Sequence, residues 1–378
     1  MRKIVIFGTG KGGKHLYHQC IDRDDIEVVA FLDNNIKGSL FDIPVYHPNT
    51  FFEKYEKDSY EYYITAGAQK TVKIMLDILQ EVAVQNVYLL YDVAGKNEIS
   101  LFKGNEMDSR WVHKIHFEEI RPTIHYFEVP ITDKCNLNCR GCIFGCNSAQ
   151  MENNHVPKEQ IIKDIRRMSE LFCDVPWIRI LGGEPLMHPD LIEILREVRN
   201  SFPDSEVDLC TNGLLVPHLD DASLMRLKEL RVTIHVSGYP PTEKMEKQIN
   251  ETLSQAGLPY TYLNRPEFFK FYTLEPIHAM RENFDLCPTS GCWEVYRGKI
   301  MRCSAVIAVE KLNKQFGTEY QVVENVDWFS LYDDQWDGIK LKNALSHASH
   351  CCKYCDLNNK EMFEWFNGGE PKLEDYIL

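Results

Sequence analysis

Three cysteines fall within eight residues in the run Cys135-Asn136-Leu137-Asn138-Cys139-Arg140-Gly141-Cys142. No other stretch constrains the chain as much as this C-x3-C-x2-C spacing. Three thiolates so close can converge on one inorganic centre, and flanking elements must then hold their loop at a pocket. Three is one short of the usual four-cysteine iron–sulfur site, so a cluster held here keeps one iron open to a small molecule. A zinc knuckle is the competing reading, although zinc sites usually pair C-x2-C with a second pair or with histidines.

The other cysteines sharpen the argument. Of thirteen in the chain, four lie at 135–146 and six at 287–355. Cys20, Cys173 and Cys210 stand alone in apolar segments and read as core residues. A chain of 378 residues with 44% hydrophobic composition supports two or three domains, each with its own core. The net charge of −14 (42 basic minus 56 acidic residues) argues against a nucleic-acid binder, which needs a basic face. No apolar run approaches the ~20 residues of a membrane span, and the apolar run at Met1–Gly8 is too short for a signal peptide. The expected location is therefore cytoplasmic, where cysteines in such number serve metal rather than disulfides.

Residues 1–95 read as a doubly wound α/β domain of Rossmann-like type. Arg2–Phe7 is a short β-branched run that reads as a buried strand. Gly8, Gly10 and Gly13 give the pattern G-x-G-x-x-G, a helix follows, and a second strand over 27–32 ends in Asp33. In that context the glycines let backbone approach a pyrophosphate at a helix amino terminus, and the acid reaches a ribose. Further αβ units fall at 60–65, 69–82 and 87–91. The stretch Phe31-Leu32-Asp33-Asn34-Asn35, followed by Pro44-Val45, resembles the small Rossmann-like domains of bacterial polysaccharide- and sugar-modifying proteins. That resemblance implies a nucleotide or nucleotide-sugar ligand; a ligand-free docking domain and an NAD site are the alternatives. Residues 96–121 show no period and read as a linker, with His113 and His116 solvated.

The cysteine spacing, the lead-in Glu128-Val129-Pro130-Ile131-Thr132-Asp133-Lys134 and the later Leu181-Gly182-Gly183-Glu184-Pro185 resemble radical S-adenosylmethionine (SAM) enzymes over roughly residues 122–356. The resemblance implies that Cys135, Cys139 and Cys142 hold a [4Fe–4S] cluster. SAM would chelate the fourth iron, and one electron would cleave it to a 5′-deoxyadenosyl radical. It implies that Gly182, Gly183 and Glu184 hold the SAM amino group, glycines by close backbone approach and Glu184 by pairing with the ammonium. Thr211 and Asn212 would lie beside the ribose or substrate, and Ser237 at the rim. An Asn-Gly turn at Asn212-Gly213 is the plainer account of that stretch. In the family the residue before the third cysteine is often aromatic; here it is Gly141.

The segment 122–280 reads as a partial (β/α)6 barrel. Its strands are expected at 123–131, 175–181, 205–210, 231–236, 260–263 and 268–272, with the site at their carboxyl ends. Helices should start at Pro157 and Pro189. Their apolar stripes are Ile161, Ile162, Ile165, Met168 and Leu171, then Leu191, Ile194, Leu195 and Val198. His235 reads as facing either the barrel interior or the helices. Cys146 is best read as a free thiol near the site, since a fourth ligand would block SAM.

Residues 281–378 resemble the auxiliary-cluster modules called twitch or SPASM, a small cysteine-rich β-hairpin/α region. Cys287 and Cys303 would flank a hairpin turned at Arg297-Gly298, and Cys352 and Cys355 would complete one all-cysteine [4Fe–4S] cluster. Cys292 and Cys351 are rival ligands, and four thiolates in two pairs would also suit zinc. Phe363, Trp365 and Phe366 in the tail either cover the barrel mouth or pack on it.

Together these readings lead to an enzyme that cleaves SAM reductively and abstracts hydrogen from a carbohydrate or nucleotide-sugar, by oxidation or epimerisation. Cys146 and Cys210 are then candidate catalytic hydrogen donors. The partners implied are a small-molecule substrate, a sugar or nucleotide-sugar, and an electron donor such as flavodoxin or ferredoxin. A peptide-modifying enzyme of the same family, an iron–sulfur sensor without SAM turnover and a plain NAD-dependent oxidoreductase are the alternatives.

Overall fold

The first apolar run behaves as its β-branched content favours: Arg2–Phe7 is a strand (β1), with Ile4 to Phe7 fully buried. The computed structural model describes residues 1–66, 69–90, 100–104, 106–109, 111–115, 117, 121–146, 155–265 and 267–378. Residues Met1–His125 form one compact unit and Tyr126–Leu378 a second.

In the first unit β1 is followed by α1 (Lys11–Cys20), β2 (Ile26–Leu32), β3 (Gly38–Leu40), β4 (Ile43–Tyr46) and α2 (Pro48–Lys54). Then come β5 (Glu61–Ile64), α3 (Gln69–Glu81), β6 (Val87–Leu90), the short β7 (Phe102–Lys103) and β8 (Glu106–Met107), and β9 (Val112–Ile115). Strands β4, β2, β1, β5 and β6 lie side by side in that order and are parallel. Alternate residues of β1 feed two cores. Val5 and Phe7 pack with Val72, Met75 and Leu76 of α3, and Ile4 and Ile6 pack with Leu16, Tyr17 and Cys20 of α1. A parallel sheet covered on both faces requires this arrangement. β9 falls inside the stretch 96–121 expected to be a linker; it is instead the antiparallel edge strand beside β6, anchored by buried Val112 and Ile115. A four-residue strand is too short to display a period in sequence. The remainder of that stretch that includes 96–99, 105, 110, 116 and 118–120, and the end of the strand expected at 87–91, lie outside the described residues.

The second unit begins with β10 (Tyr126–Thr132), buried at every residue, and α4 (Lys158–Leu171). It continues with β11 (Trp177–Gly182), α5 (Leu191–Ser201), β12 (Glu206–Thr211), α6 (Asp221–Glu229), β13 (Val232–Gly238), α7 (Pro240–Glu243), α8 (Glu246–Ala256) and β14 (Tyr260–Asn264). Then follow β15 (Glu267–Lys270), α9 (Met280–Leu286), β16 (Glu294–Tyr296), β17 (Lys299–Met301), α10 (Ala305–Phe316), β18 (Trp328–Ser330), α11 (Gly338–Leu345) and β19 (Glu361–Glu364). The main sheet runs β14-β13-β12-β11-β10-β16-β17-β18. From β14 to β10 every pairing is parallel. The intervening helices bury the expected stripes, except that Ile162 is only half-buried and Asp164 takes a core place.

The sixth parallel strand is not the one expected at 268–272. β15 begins three residues after β14 ends, too short a connection for a parallel crossover, which needs about a dozen residues. It pairs antiparallel with β19 in a separate ribbon. The sixth parallel strand is β16, which joins the opposite side of β10 with Glu294 beside Glu128. β16 and β17 form the hairpin expected at Arg297-Gly298, and both turn residues have positive φ (51° and 81°). The hairpin therefore extends the barrel sheet rather than standing as a separate module. Among the described residues no helix is long and apolar enough to cross a membrane.

Candidate functional site

The carboxyl edge of the parallel strands is where loops can converge on a ligand. β10 ends at Thr132 and leads into the cysteine loop; β11 leads into Gly182-Gly183-Glu184; β12 into Thr211-Asn212-Gly213; β13 into Ser237. Cys135, Cys139, Cys142, Cys146, Gly182, Gly183, Cys210, Thr211, Asn212 and Ser237 all line one cavity of about 290 Å³. Its remaining wall includes Tyr239, Arg265, Glu267, Phe268 and Phe269.

The glycine turn is pressed against the start of the cysteine loop. Gly183 N–H donates to the Thr132 carbonyl (2.7 Å) and Glu184 N–H to that of Lys134 (2.7 Å). Gly182 has φ +141°, and a Cβ there would lie 2.3 Å from the Thr132 carbonyl oxygen. Only glycine fits such a position. Glu184 is fully buried and does not reach the cavity lining. Its carboxylate accepts from Leu186 N–H (3.0 Å), the Thr211 hydroxyl (2.8 Å) and Asn212 N–H (2.9 Å). Burial pushes it up to about 7.

The sulfurs already receive donors from the protein. Cys135 accepts from Leu137 N–H (3.5 Å) and Asn212 Nδ2 (3.7 Å), and Cys139 from the indole N–H of Trp365 (3.2 Å). A hydrogen bond from Cys146 brings Cys142 down to about 6 against its burial, and Cys146 is raised in turn. Burial pushes Cys135 up to about 11 and Cys139 and Cys210 up to about 12. Lys311 of α10 is buried, pairs with Asp133 (2.6 Å) and donates to the Phe144 carbonyl inside the loop. Tyr296 donates to the same Asp133 (2.7 Å).

The tail beyond β19 runs along the cysteine loop. Cys139 and Asn367 form an antiparallel bridge, Arg140 N–H donates to the Phe366 carbonyl (3.0 Å), and Gly368 N–H to that of Asn138 (2.9 Å). Arg140 pairs with Asp375. Gly141 has φ +64°, and a Cβ there would lie 2.7 Å from both the Phe363 ring and the Asp375 carbonyl oxygen. The tail thus takes the space in which a side chain before the third cysteine would stand.

One layer deeper, the same strand faces carry charges, of which the sequence singled out only His235. Arg179, Asp208 and His235 precede the cavity-lining Leu181, Cys210 and Ser237 by two residues, so they share a face. Asp208 pairs with His235 (3.0 Å) and Arg179 (3.4 Å), and Arg179 with Glu128 (3.5 Å). His235 Nδ1 meets the Thr261 hydroxyl at 2.7 Å. This places His235 in the barrel interior. Against full burial, His235 and then Arg179 hold the Asp208 carboxyl below its ordinary value. Burial, then Glu128 beside it, raises Glu294 well above the carboxylate range.

The carboxyl-terminal cysteines gather around α9, the start of α10 and a turn at His350–Tyr354. Burial raises Cys303, followed by repulsion from Cys352 and Cys287; burial raises Cys355, followed by Cys303, Cys352 and Cys287. Cys303 thus lies within electrostatic reach of Cys287 and Cys352, and Cys355 within reach of all three. Cys351 is buried, its N–H donating to Asp327 (3.1 Å), whereas Glu128 and Glu294 are the first charges acting on Cys292. Arg302 is only 3% exposed, and among the described residues its Nε and Nη1 have no hydrogen-bond partner. Cys352, Cys303 and Cys287 are the first charges acting on it. A buried guanidinium with two such N–H groups beside three thiols fits an anionic group held there. Among the described residues no three His, Cys, Asp or Glu groups take up the arrangement of a metal-ion site. The fit of the first cysteine set to a cluster rests on the cavity it lines, and that of the second on Arg302.

In the first unit Gly10 precedes α1 with open space around it, while a Cβ on Gly13 would lie 2.0 Å from the Gly8 carbonyl oxygen. Asp33 accepts from the Thr9 hydroxyl (2.6 Å) and from the N–H groups of Asn35 (2.9 Å) and Ile36 (3.1 Å). These bonds hold it below its ordinary value against partial burial.

Comparison with known proteins bears on the second unit. Curated relatives include the GTP 3′,8-cyclase of Aquifex aeolicus, 28% identical over 144 residues that cover 36% of this chain and 42% of that protein. The GTP 3′,8-cyclase of Sulfurovum sp. is 33% identical over 117 residues, covering 28% and 33%. The chain thus spans less than half the length of these relatives. Solved structures similar to it include BtrN in complex with AdoMet and 2-DOIA, at 14% identity and TM-score 0.39, covering 62% of this chain and 94% of that one. Streptococcus suis SuiB bound to S-adenosylmethionine is similar at 11% identity and TM-score 0.28, covering 50% and 62%. Residues 129–256 match the family model described as the Radical SAM superfamily, and these residues carry the glycine turn, the cysteine loop and most of the strand ends around the cavity: the chain carries a radical SAM domain.

Proposed function

We propose that the chain is a radical SAM enzyme acting on a carbohydrate or nucleotide-sugar, with Cys135, Cys139 and Cys142 as ligands of the SAM-binding [4Fe–4S] cluster. The observation that carries this reading is the opening of those three cysteines, Gly182 and Gly183 onto one cavity. When bound, cluster and SAM supply one-electron cleavage and hydrogen-atom abstraction. The chain's own part is to orient and shield. Glu184, held by three donors behind the cavity wall, fixes the glycine turn and the Thr211-Asn212 turn that line it. Arg265, Glu267 and Ser237 offer polar contacts beside the flat faces of Tyr239, Phe268 and Phe269, a mixture suited to a polyhydroxyl ring. Cys210 and Cys146 both line the cavity, and burial keeps Cys210 protonated at neutral pH, as a hydrogen-atom donor must be.

Cys287, Cys303, Cys352 and Cys355 form the auxiliary site in this reading, with Arg302 balancing its negative charge. The first unit, with its parallel strand order and the glycine turn at Gly8–Gly13, is the Rossmann-like part and the place for a nucleotide or nucleotide-sugar. A purine nucleotide is the second reading for the barrel, because the curated relatives are named as GTP 3′,8-cyclases. Arg265 is the one cation lining the cavity among the described residues, which offers little to a triphosphate.

The test is iron and sulfide per chain after anaerobic reconstitution, with 5′-deoxyadenosine release measured against nucleotide-sugars and GTP. Two [4Fe–4S] clusters give about 8 iron, falling to about 4 when Cys135, Cys139 and Cys142 are all changed to Ala. No iron dependence on those cysteines, or no 5′-deoxyadenosine from the loaded protein, would sink the reading.

A further inference from the structure

We infer that Trp365 is a positioning residue for the cluster bound at the cysteine loop, acting through the sulfur of Cys139; this rests on the proposal that Cys139 is a cluster ligand. Three observations converge on it. The Trp365 indole N–H lies 3.2 Å from the Cys139 sulfur. The ring is itself fixed, stacked on Tyr239 with centroids 6.1 Å apart and planes 21° from parallel. The backbone on both sides is also tied: β19 pairs with β15 before it, and Asn367 bridges Cys139 after it. Trp has a single N–H and accepts nothing, so in this orientation it can only donate to the sulfur.

A donor on a ligand sulfur withdraws charge from it. It stabilises the reduced cluster, which carries one more electron, over the oxidised one, and so raises the reduction potential. The same bond limits how far Cys139 can swing, and Cys139 has 8% exposure, so the indole and the backbone bridge define its position together. The sequence separation is 226 residues, which explains why no local motif announces the contact.

The experiment is a redox titration of the reconstituted full-length protein, following by electron paramagnetic resonance the signal that disappears in Cys139→Ala. Trp365→Phe keeps a ring against Tyr239 and removes the donor. The expected result is iron content equal to wild type and a midpoint shifted to more negative potential; an unshifted midpoint overturns the inference. If Trp365→Phe loses iron, Asn367→Ala decides: iron kept there shows that the indole holds the ligand, and equal loss shows that the tail as a whole does so, which overturns the inference. Wild-type protein that takes up no iron dependent on Cys139 would instead overturn the cluster proposal, a separate outcome.

Discussion

Glu184 ties the glycine turn to the Thr211-Asn212 turn through one buried carboxyl. Burial raises it from 4.5 to about 7, so between those values the folded chain holds a proton that the unfolded chain does not. The sign follows: the stability of the ligand-free protein falls as pH rises from about 4.5 to about 7, and Glu184→Gln removes that part of the slope, measurable by denaturant titration at several pH values. The ionised form serves all three donors as an acceptor and so holds both turns at the cavity. SAM binding to the reconstituted protein should therefore strengthen as pH rises through about 7. Glu184→Gln should weaken it roughly 10- to 100-fold above that pH and abolish the step, as seen by equilibrium binding. Cys210 gives a third expectation. Cys210→Ala should leave SAM cleavage in place and remove hydrogen return to the substrate, visible as loss of solvent hydrogen in the product, if the thiol is the donor. The cysteine loop, the glycine turn, Asn212 and Ser237 were legible because strand ends in a parallel sheet converge whatever lies between them. Arg179, Asp208 and Glu294 were not, because a charged residue in a strand usually faces water, and only the paired burial of opposite charges reverses that.

Among elements, α10 matters most to the loop. Lys311 and Asp133 expose 9% and 3% of their side chains, so neither charge can fall back on solvent. Lys311→Met should cost about 3–5 kcal/mol, since it leaves Asp133 buried with less compensation, and the denaturation midpoint would report it. The ribbon of β15 and β19 gives a second expectation. Gly141→Ala meets the Phe363 ring and the Asp375 carbonyl, so it should loosen the tail; Phe363→Ala should recover part of that loss, giving a non-additive double-mutant cycle in iron retention. The strands of the barrel could be read from short apolar runs up to β14. The reading failed at β15, where aromatic content suggested another parallel strand although the connection left no room for a crossover. It also failed at β16, where a hairpin signal concealed a strand that completes the parallel set.

At the scale of the molecule, the two compact units each have their own core, and both cysteine sets lie in the second. Removal of iron should therefore lower the stability of residues 126–378 and leave protection of the β1 and β5 amides unchanged, as hydrogen exchange on loaded and stripped protein would show. The tail's alignment on the cysteine loop has a further consequence for how the protein matures. A ribosome delivers Cys139 long before it delivers Trp365 and Asn367, which stand 226 and 228 positions later. A nascent chain can present the three thiols early, but without the wall that shields them. The loop reaches its final form only after the distal segment has folded back, so metal loading belongs after synthesis of that segment. A chain interrupted before residue 365 should collect cysteine oxidation instead of iron.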